Sequence, residues 1–306
     1  MNLGYKKFCL LIVPMLMMGC KDDLPQTSDQ EYVTVHFGVA LEDIDGTPDT
    51  RSLAPGYKFS DGKSISELKC YVYNQANGLN AAPTEVVDVD IKTVNSQLGG
   101  DLSLMLPKGN KYDFIFLGTS IPQTNASSKL YYNQNDRSLA VNYSSISCND
   151  EEIDCFFASQ TDVTTETAFD NNIMLKRPFA QVNLGTKDYD TYNSTSPIKD
   201  ISVSVDGVYN KVNLMDGSLV GDPISVTFKG ALRPVGQIFP VTGYEYLSMN
   251  YLLVNTRKLI DLSFTVNHVN SATAPKVVNI GDVAVERNYQ TNVYGKALLT
   301  EDIPSY

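Results

Sequence analysis

Few residues of this sequence have the type and spacing that catalysis or metal binding requires. It contains only two histidines, His36 and His268, which lie far apart in strand-like segments. The HExxH, GxSxG, Walker-loop and CxxC patterns are all absent. The sequence therefore predicts no catalytic residues, no metal and no cofactor, and we expect that the protein is not an enzyme.

Two pairs of acids raise the question of glycoside hydrolysis, a reaction that uses two carboxyl groups. Asp88 and Asp90 alternate with apolar residues over 87–91, which is typical of a half-buried strand with a solvated face. Glu151 and Glu152 lie in a short acidic stretch. A hydrolase therefore stays the weakest alternative, to be tested by substituting Asp88 or Asp90.

Two further features could bind ligands. The acidic stretch 42–49 (EDIDGTPD) offers oxygen ligands for calcium but lacks the spacing of a twelve-residue calcium loop. Glycan-binding platforms often use tryptophan, and this chain has none, but it has eighteen tyrosines, which also stack on sugars. Most of the tyrosines alternate within strand-like segments, so core or sheet-face roles are the simpler interpretation.

The N-terminus has the layout of an export signal. Lys6 and Lys7 precede a short apolar run that ends at Gly19-Cys20, and this run is too short to span a bilayer. A small residue followed by cysteine is the pattern of a bacterial lipoprotein signal, with residues 1–19 removed and Cys20 carrying the lipid. An ordinary signal peptide with an incidental cysteine is the alternative.

A charged triplet follows the cysteine at once. Lys21, Asp22 and Asp23 resemble the export tag of outer-surface lipoproteins in certain Gram-negative anaerobes, and the alternative is the solvated start of a linker over residues 20–30. We predict an outer-membrane, cell-surface location with the lipid on Cys20 as the anchor.

The length of the chain indicates how many domains it forms, and its charge excludes one class of partner. Without residues 1–19 the chain keeps 287 of its 306 residues, enough for about two domains. The formal net charge of −11 falls to about −13 once Lys6 and Lys7 are removed. So acidic a surface repels nucleic acid, which we exclude as a partner.

Three of the five cysteines remain after Cys9 and Cys20 are accounted for. Cys148 and Cys155 bracket a short acidic loop and could form a disulfide in an exported protein, but two free thiols are equally compatible with the sequence. Cys70 alternates with tyrosines and is expected to be a small buried residue.

The rest of the sequence alternates with a period of two, which predicts an all-β fold built of sandwiches. The apolar alternation before and after Pro107-Lys108-Gly109-Asn110 predicts a hairpin. Residues 119–170 are polar and predict a long loop or short edge strands. We place one β-sandwich at residues 31–175 and a second at 176–306.

The first predicted strand, 32–41, is joined to the rest by a linker with one basic residue, Arg51. This linker is rich in Asp, Gly, Thr, Ser and Pro, so it should be exposed and open to proteolysis between Arg51 and Ser52. Removing a strand from a sandwich exposes an apolar groove with unpaired backbone groups, which can accept a strand from another chain. The alternative is an arginine in an ordinary loop.

Several stretches together resemble the fimbrillin-like proteins, the fimbrial subunits (type V pilins) of Gram-negative anaerobes. They are the lipoprotein cysteine with CKDD, the strand followed by DTRS, LPKGNKYDFIFLGT, KRPFAQVNLGT, EYLSMNYLLV and ERNYQTNVYGKALLT. The resemblance implies two transthyretin-like β-sandwiches, removal of the first strand by an arginine-specific protease at Arg51–Ser52, and assembly with other fimbrial subunits by strand exchange.

One feature departs from a polymerising stalk subunit. Only residues 301–306 follow the last family-like stretch, whereas a donor strand needs about ten extended residues. A tip adhesin that accepts a strand fits this better, with host or bacterial surface glycans or proteins as partners. A lipid-retaining anchor subunit and a standalone surface adhesin stay open as well. The alternative function is a lipid-anchored, glycan-binding protein of a polysaccharide uptake system.

Overall fold

The computed structural model describes residues 30–41, 65–94, 97–120, 127–230, 238–299 and 302–305. Within these ranges the protein is all-β, as predicted. Its helical segments are the α-helix α1 (Tyr189–Thr195) and three 3₁₀ turns at Gln75–Asn77, Tyr143–Ser145 and Glu151–Ile153. In the part of the chain described here, no helix has the length and apolar character needed to cross a membrane.

The strands follow the period-two alternation of the sequence. The first ten are β1 (Tyr32–Leu41), β2 (Glu67–Asn74), β3 (Glu85–Asp88), β4 (Asp90–Val94), β5 (Gln97–Pro107), β6 (Lys111–Thr119), β7 (Leu130–Asn133), β8 (Ser138–Val141), β9 (Cys155–Thr164) and β10 (Phe169–Leu175). The others are β11 (Phe179–Thr186), β12 (Ile198–Val208), β13 (Lys211–Asn213), β14 (Ile224–Lys229), β15 (Glu245–Leu253), β16 (Lys258–His268), β17 (Lys276–Val285), β18 (Gln290–Lys296) and β19 (Asp302–Ser305).

Two sheets enclose the first core. One has the order β10-β1-β5-β4 and the other β3-β2-β6-β9. Their inward alternate residues pack together, for example Phe37 of β1, Leu104 of β5 and Phe114 and Phe116 of β6. Each strand contributes every second side chain to this core because successive side chains of a strand point to opposite faces.

Two further sheets, β15-β11-β18-β19 and β14-β12-β16-β17, enclose the second core. This core extends beyond them to the small sheet β13-β8-β7 and to the outer face of the β2–β6 sheet, where Tyr71, Tyr73, Ile115 and Leu117 are buried. Strand β6 is therefore buried on both faces. The predicted boundary between residues 175 and 176 falls where β10 ends, but the second core crosses it, and Tyr32–Tyr306 form one compact unit. The division into two domains stays a prediction.

The turn predicted at residues 107–110 exists, but the predicted hairpin is wrong. Gly109 has a φ of +83°, a conformation that glycine adopts without strain. Strands β5 and β6 do not pair: β5 pairs with β1 and β4, whereas β6 pairs with β2 and β9. The turn carries the chain from one sheet to the other, so both apolar alternations face the same core from opposite sides.

The chain also changes sheets at Val89. Residues 87–91 read as one alternating strand, but β3 pairs with β2 and β4 pairs with β5. In the polar region 119–170, β7 and β8 are short strands of four residues each, whereas β9 has ten residues and pairs along β6. The structure thus adds a long strand where the sequence indicated loops or short edges.

Candidate functional site: the first strand and its groove

Strand β1 lies inside its sheet with a partner on each side. It pairs antiparallel with β5, from Tyr32↔Pro107 to Ala40↔Gly99, and parallel with β10, from Val35↔Phe169 to Leu41↔Leu175. If β1 were absent, the facing edges of β5 and β10 would each present unpaired backbone groups, which are a template for another strand.

One face of β1 fills the first core. Val35, Phe37, Val39 and Leu41 are all buried. The ring of Phe37 packs among three aromatic rings, with its centroid 4.9 Å from that of Phe114, 5.2 Å from that of Phe116 and 5.9 Å from that of Phe169. Burial of one such side chain stabilises a fold by about 1.5–3 kcal/mol, so the four together contribute about 6–12 kcal/mol.

The other face of β1 is more open and has its own constraints. His36 and Ser103 of β5 share a hydrogen bond of 3.0 Å between Nδ1 and Oγ. At Gly38 an added Cβ would lie 2.8 Å from Oδ1 of Asn172 on β10. A strand that occupies this position therefore needs apolar residues at four alternate positions. A residue larger than glycine opposite Asn172 requires the exposed side chain of that asparagine to move.

The residues predicted to undergo modification lie outside the described residues. They are the lipidation residue Cys20, the export triplet Lys21, Asp22 and Asp23, and the processing site Arg51–Ser52. The acidic stretch 42–49, considered for calcium, lies outside them as well. What the structure supplies is the strand that precedes Arg51 and the groove that this strand occupies.

The cysteines that are described, Cys70, Cys148 and Cys155, are free and buried. The Cys148–Cys155 bridge that the sequence allowed is not formed, and the structure has the alternative of two free thiols. The thiol of Cys148 donates a hydrogen bond to the carbonyl of Phe228 at 3.5 Å. Burial raises the pKa of Cys148 to about 12 and that of Cys155 well above its usual range, so both thiols stay protonated and poorly reactive.

The residues considered for catalysis are not brought together. His36 is in the first sheet, whereas His268 is buried at the end of β16, where its Nε2 lies 2.9 Å from the Tyr192 hydroxyl. Asp88 and Asp90 are exposed on separate strands. Among the residues that the structure describes, no group of three or more His, Cys, Asp or Glu side chains could hold a metal ion.

Sequence reasoning missed two buried ion pairs. Arg177 makes a bidentate pair with Asp154, with nitrogen–oxygen distances of 2.5 and 2.7 Å, and Arg137 contacts Asp113 at 2.9 Å. A signal for one of them was present, because Asp113 is a lone acid in the otherwise apolar strand segment YDFIFL. A charge at such a position needs a buried partner.

The fold resembles several solved structures. A candidate cell adhesion protein and a fimbrial assembly protein, both from Parabacteroides distasonis, are 10% and 11% identical, with TM-scores of 0.47 and 0.45. Candidate polysaccharide-binding proteins (DUF1812) from Bacteroides thetaiotaomicron are 13% identical, with a TM-score of 0.47. The alignments cover 86%, 87% and 86% of this chain and 88%, 92% and 90% of those chains, in the same order.

Residues 26–305, which include β1, match a protein family described as a family of unknown function (DUF6562). The protein belongs to this family. No curated protein matches it.

Proposed function

We propose that the protein is a fimbrial subunit or tip adhesin that reaches the cell surface as a lipoprotein and assembles by strand exchange. In this proposal Cys20 carries the lipid, Lys21-Asp22-Asp23 directs export, and a protease cleaves between Arg51 and Ser52. The observation that carries the proposal is the position of β1, a ten-residue strand that sits between two other strands and is followed by the segment with Arg51.

The geometry of β1 supports strand exchange. The strand is one uninterrupted segment of ten residues that pairs with a neighbouring strand along each edge and packs one face into the first core. After cleavage, β1 would be joined to the remainder only by non-covalent contacts. The four buried side chains, worth about 6–12 kcal/mol together, would hold it in place in the absence of a competitor. A donor strand with the same pattern would compete for both the backbone partners and the side-chain positions.

A partner that donates a strand to this groove must therefore have a particular sequence pattern. A donor strand must carry apolar residues at the positions of Val35, Phe37, Val39 and Leu41. Glycine at the position of Gly38 fits without a shift of the Asn172 side chain. The predicted partners are other fimbrial subunits with such a strand, together with the outer-membrane lipid before processing and surface glycans or proteins at the exposed end of a fibre.

The first test is limited digestion of the mature full-length protein with an arginine-specific protease, followed by intact mass measurement. We expect a single early cut after Arg51. The variant Arg51→Ala should abolish it. Arg257→Ala is the matched control, because Arg257 is an exposed arginine in the turn between β15 and β16 and its loss should leave the early cut unchanged.

The second test follows the cut protein. Under native conditions the fragment with β1 should stay bound, and a synthetic peptide of residues 32–41 in excess should displace it. A peptide with aspartate in place of Phe37 is the control and should not compete. Early cutting elsewhere, or a fragment that leaves at once without a competitor, would contradict the proposal.

A further inference from the structure

A cleft with a volume of about 480 Å³ opens at one end of the β3-β2-β6-β9 sheet. It lies where the connection after β2, the end of β9, the β7–β8 turn and the residues after β13 meet. Its volume is within the range of about 300–1,000 Å³ of small-molecule sites. The lining residues that matter are Gln75, Leu79, Asp113, Arg137, Asp162 and Asp216.

Asp113 is the buried centre of the cleft floor. Its Oδ1 accepts hydrogen bonds from Nε2 of Gln75 at 2.7 Å and from the backbone N–H of Asp162 at 3.1 Å, and its Oδ2 accepts one from Nη1 of Arg137 at 2.9 Å. The pairing of β6 with β9 shifts register here, and Asp162 has a φ of +58°. This bulge turns Asp162 toward the cleft.

Arg137 supplies the feature that points to a ligand. Only 4% of the residue is exposed, and its guanidinium carbon lies 4.3 Å from the ring centroid of Tyr73. Its Nε is buried and has no hydrogen-bond partner among the described residues. An unpaired buried donor costs about 1–3 kcal/mol in general, so Nε of Arg137 is a position at which an accepting group is favoured.

The remaining polar groups of the cleft are acceptors. Oδ1 of Asp162 accepts from Gln75 at 3.0 Å, and within the described part of the chain its Oδ2 has no partner. Hydrogen bonds from the side chain and backbone of Ser218 lower the pKa of Asp216, which keeps this exposed carboxylate charged. Three carboxylates against one guanidinium make the cleft acidic, so it repels anions.

These requirements select the chemistry of the ligand. It must accept a hydrogen bond from Arg137 and donate hydrogen bonds to carboxylates. An ammonium group or a metal ion has no acceptor for Arg137, whereas a hydroxyl group both donates and accepts. Leu79, which is 79% exposed at the rim, offers an apolar contact for the C–H face of a ring.

We propose that this cleft binds a neutral saccharide unit. Two hydroxyl groups donate to Asp162 and Asp216, and one accepts from Arg137 Nε. Access to Nε requires a small movement of the flexible Met215 side chain, whose Sδ lies 3.5 Å from Nη1 of the same guanidinium. The proposal does not depend on strand exchange, because none of these residues belongs to β1 or its neighbours β5 and β10.

The test is titration calorimetry of the full-length mature protein with soluble oligosaccharides of glucose, mannose, galactose, xylose and N-acetylglucosamine, and separately with calcium chloride. We expect at least one oligosaccharide to bind. Asp162→Asn should weaken that binding about tenfold or more, because it removes a charge-assisted hydrogen bond while asparagine still tolerates the positive φ.

The matched control is Asp170→Asn, which changes an exposed acid on β10 outside the cleft and should bind as the unmodified protein does. Arg137→Lys, checked for folding by thermal melting, should also weaken binding. The proposal is overturned if no oligosaccharide of the set binds, if Asp162→Asn and Asp170→Asn bind equally well, or if only calcium binds.

Discussion

Phe37 is the residue of β1 whose truncation should lower the free energy of unfolding the most. Phe37→Ala is therefore the most direct test of how much the packing of β1 stabilises the protein. The side chain is completely buried, and three aromatic rings lie within 6 Å of its centroid. Truncating a buried phenylalanine to alanine costs about 3–5 kcal/mol, because the apolar contacts are lost and a cavity remains. We expect the free energy of unfolding to fall by that amount.

The assay is urea denaturation followed by circular dichroism. Thr34→Ala is the control, since Thr34 is exposed on the opposite face of the same strand and its loss should change the free energy by less than about 0.5 kcal/mol. Hydrogen exchange adds a local readout, because the amides of β5 and β10 that face β1 should exchange faster in Phe37→Ala. Equal stability of the two variants would refute the account of the groove.

Three other changes test separate parts of the structure. Gly38→Val should lower the melting temperature because its Cβ would lie 2.8 Å from Oδ1 of Asn172, and a second change, Asn172→Ala, should restore part of the loss; no recovery would contradict this packing. Cys148 should resist iodoacetamide at pH 8 until the protein unfolds, as seen by mass spectrometry. Because its pKa is raised from 9.0 to about 12, its contribution to stability is complete below pH 9 and is lost as the pH rises toward 12; fast native labelling would contradict this. Asp154→Asn should cost about 3–5 kcal/mol in urea denaturation because it leaves Arg177 buried without its counter-ion, and a cost below about 1 kcal/mol would contradict that burial.

The sequence predicted the elements better than their pairing. The alternation of Val35, Phe37 and Val39 was enough to place β1 and its buried face. The same kind of alternation on both sides of Gly109 could not distinguish a hairpin from a turn between two facing sheets, because both arrangements bury the same residues. The outcome depends on strands that are distant in sequence. Strand β1 pairs with β5, and β2 and β9 pair with the two edges of β6, which a β5–β6 hairpin would otherwise use.

A functional site could be predicted from the sequence only where its residues are close together along the chain. The relation of β1 to Arg51 can be read along the chain, since both belong to one continuous stretch. The saccharide cleft could not be predicted in this way because its residues lie between positions 75 and 216 and meet only through tertiary packing. Asp113 alone gave a hint, as an acid within an apolar strand, and its partner Arg137 lies in a turn with no pattern that marks it.

The measurement that tests the central claim most directly is the intact mass and N-terminal sequence of the protein isolated from its native cell surface. The account predicts an N-terminus at Ser52 and no lipid, with the protein recovered in fibres. An acylated Cys20 on an uncut chain, with Arg51 and the first strand still attached, would contradict it.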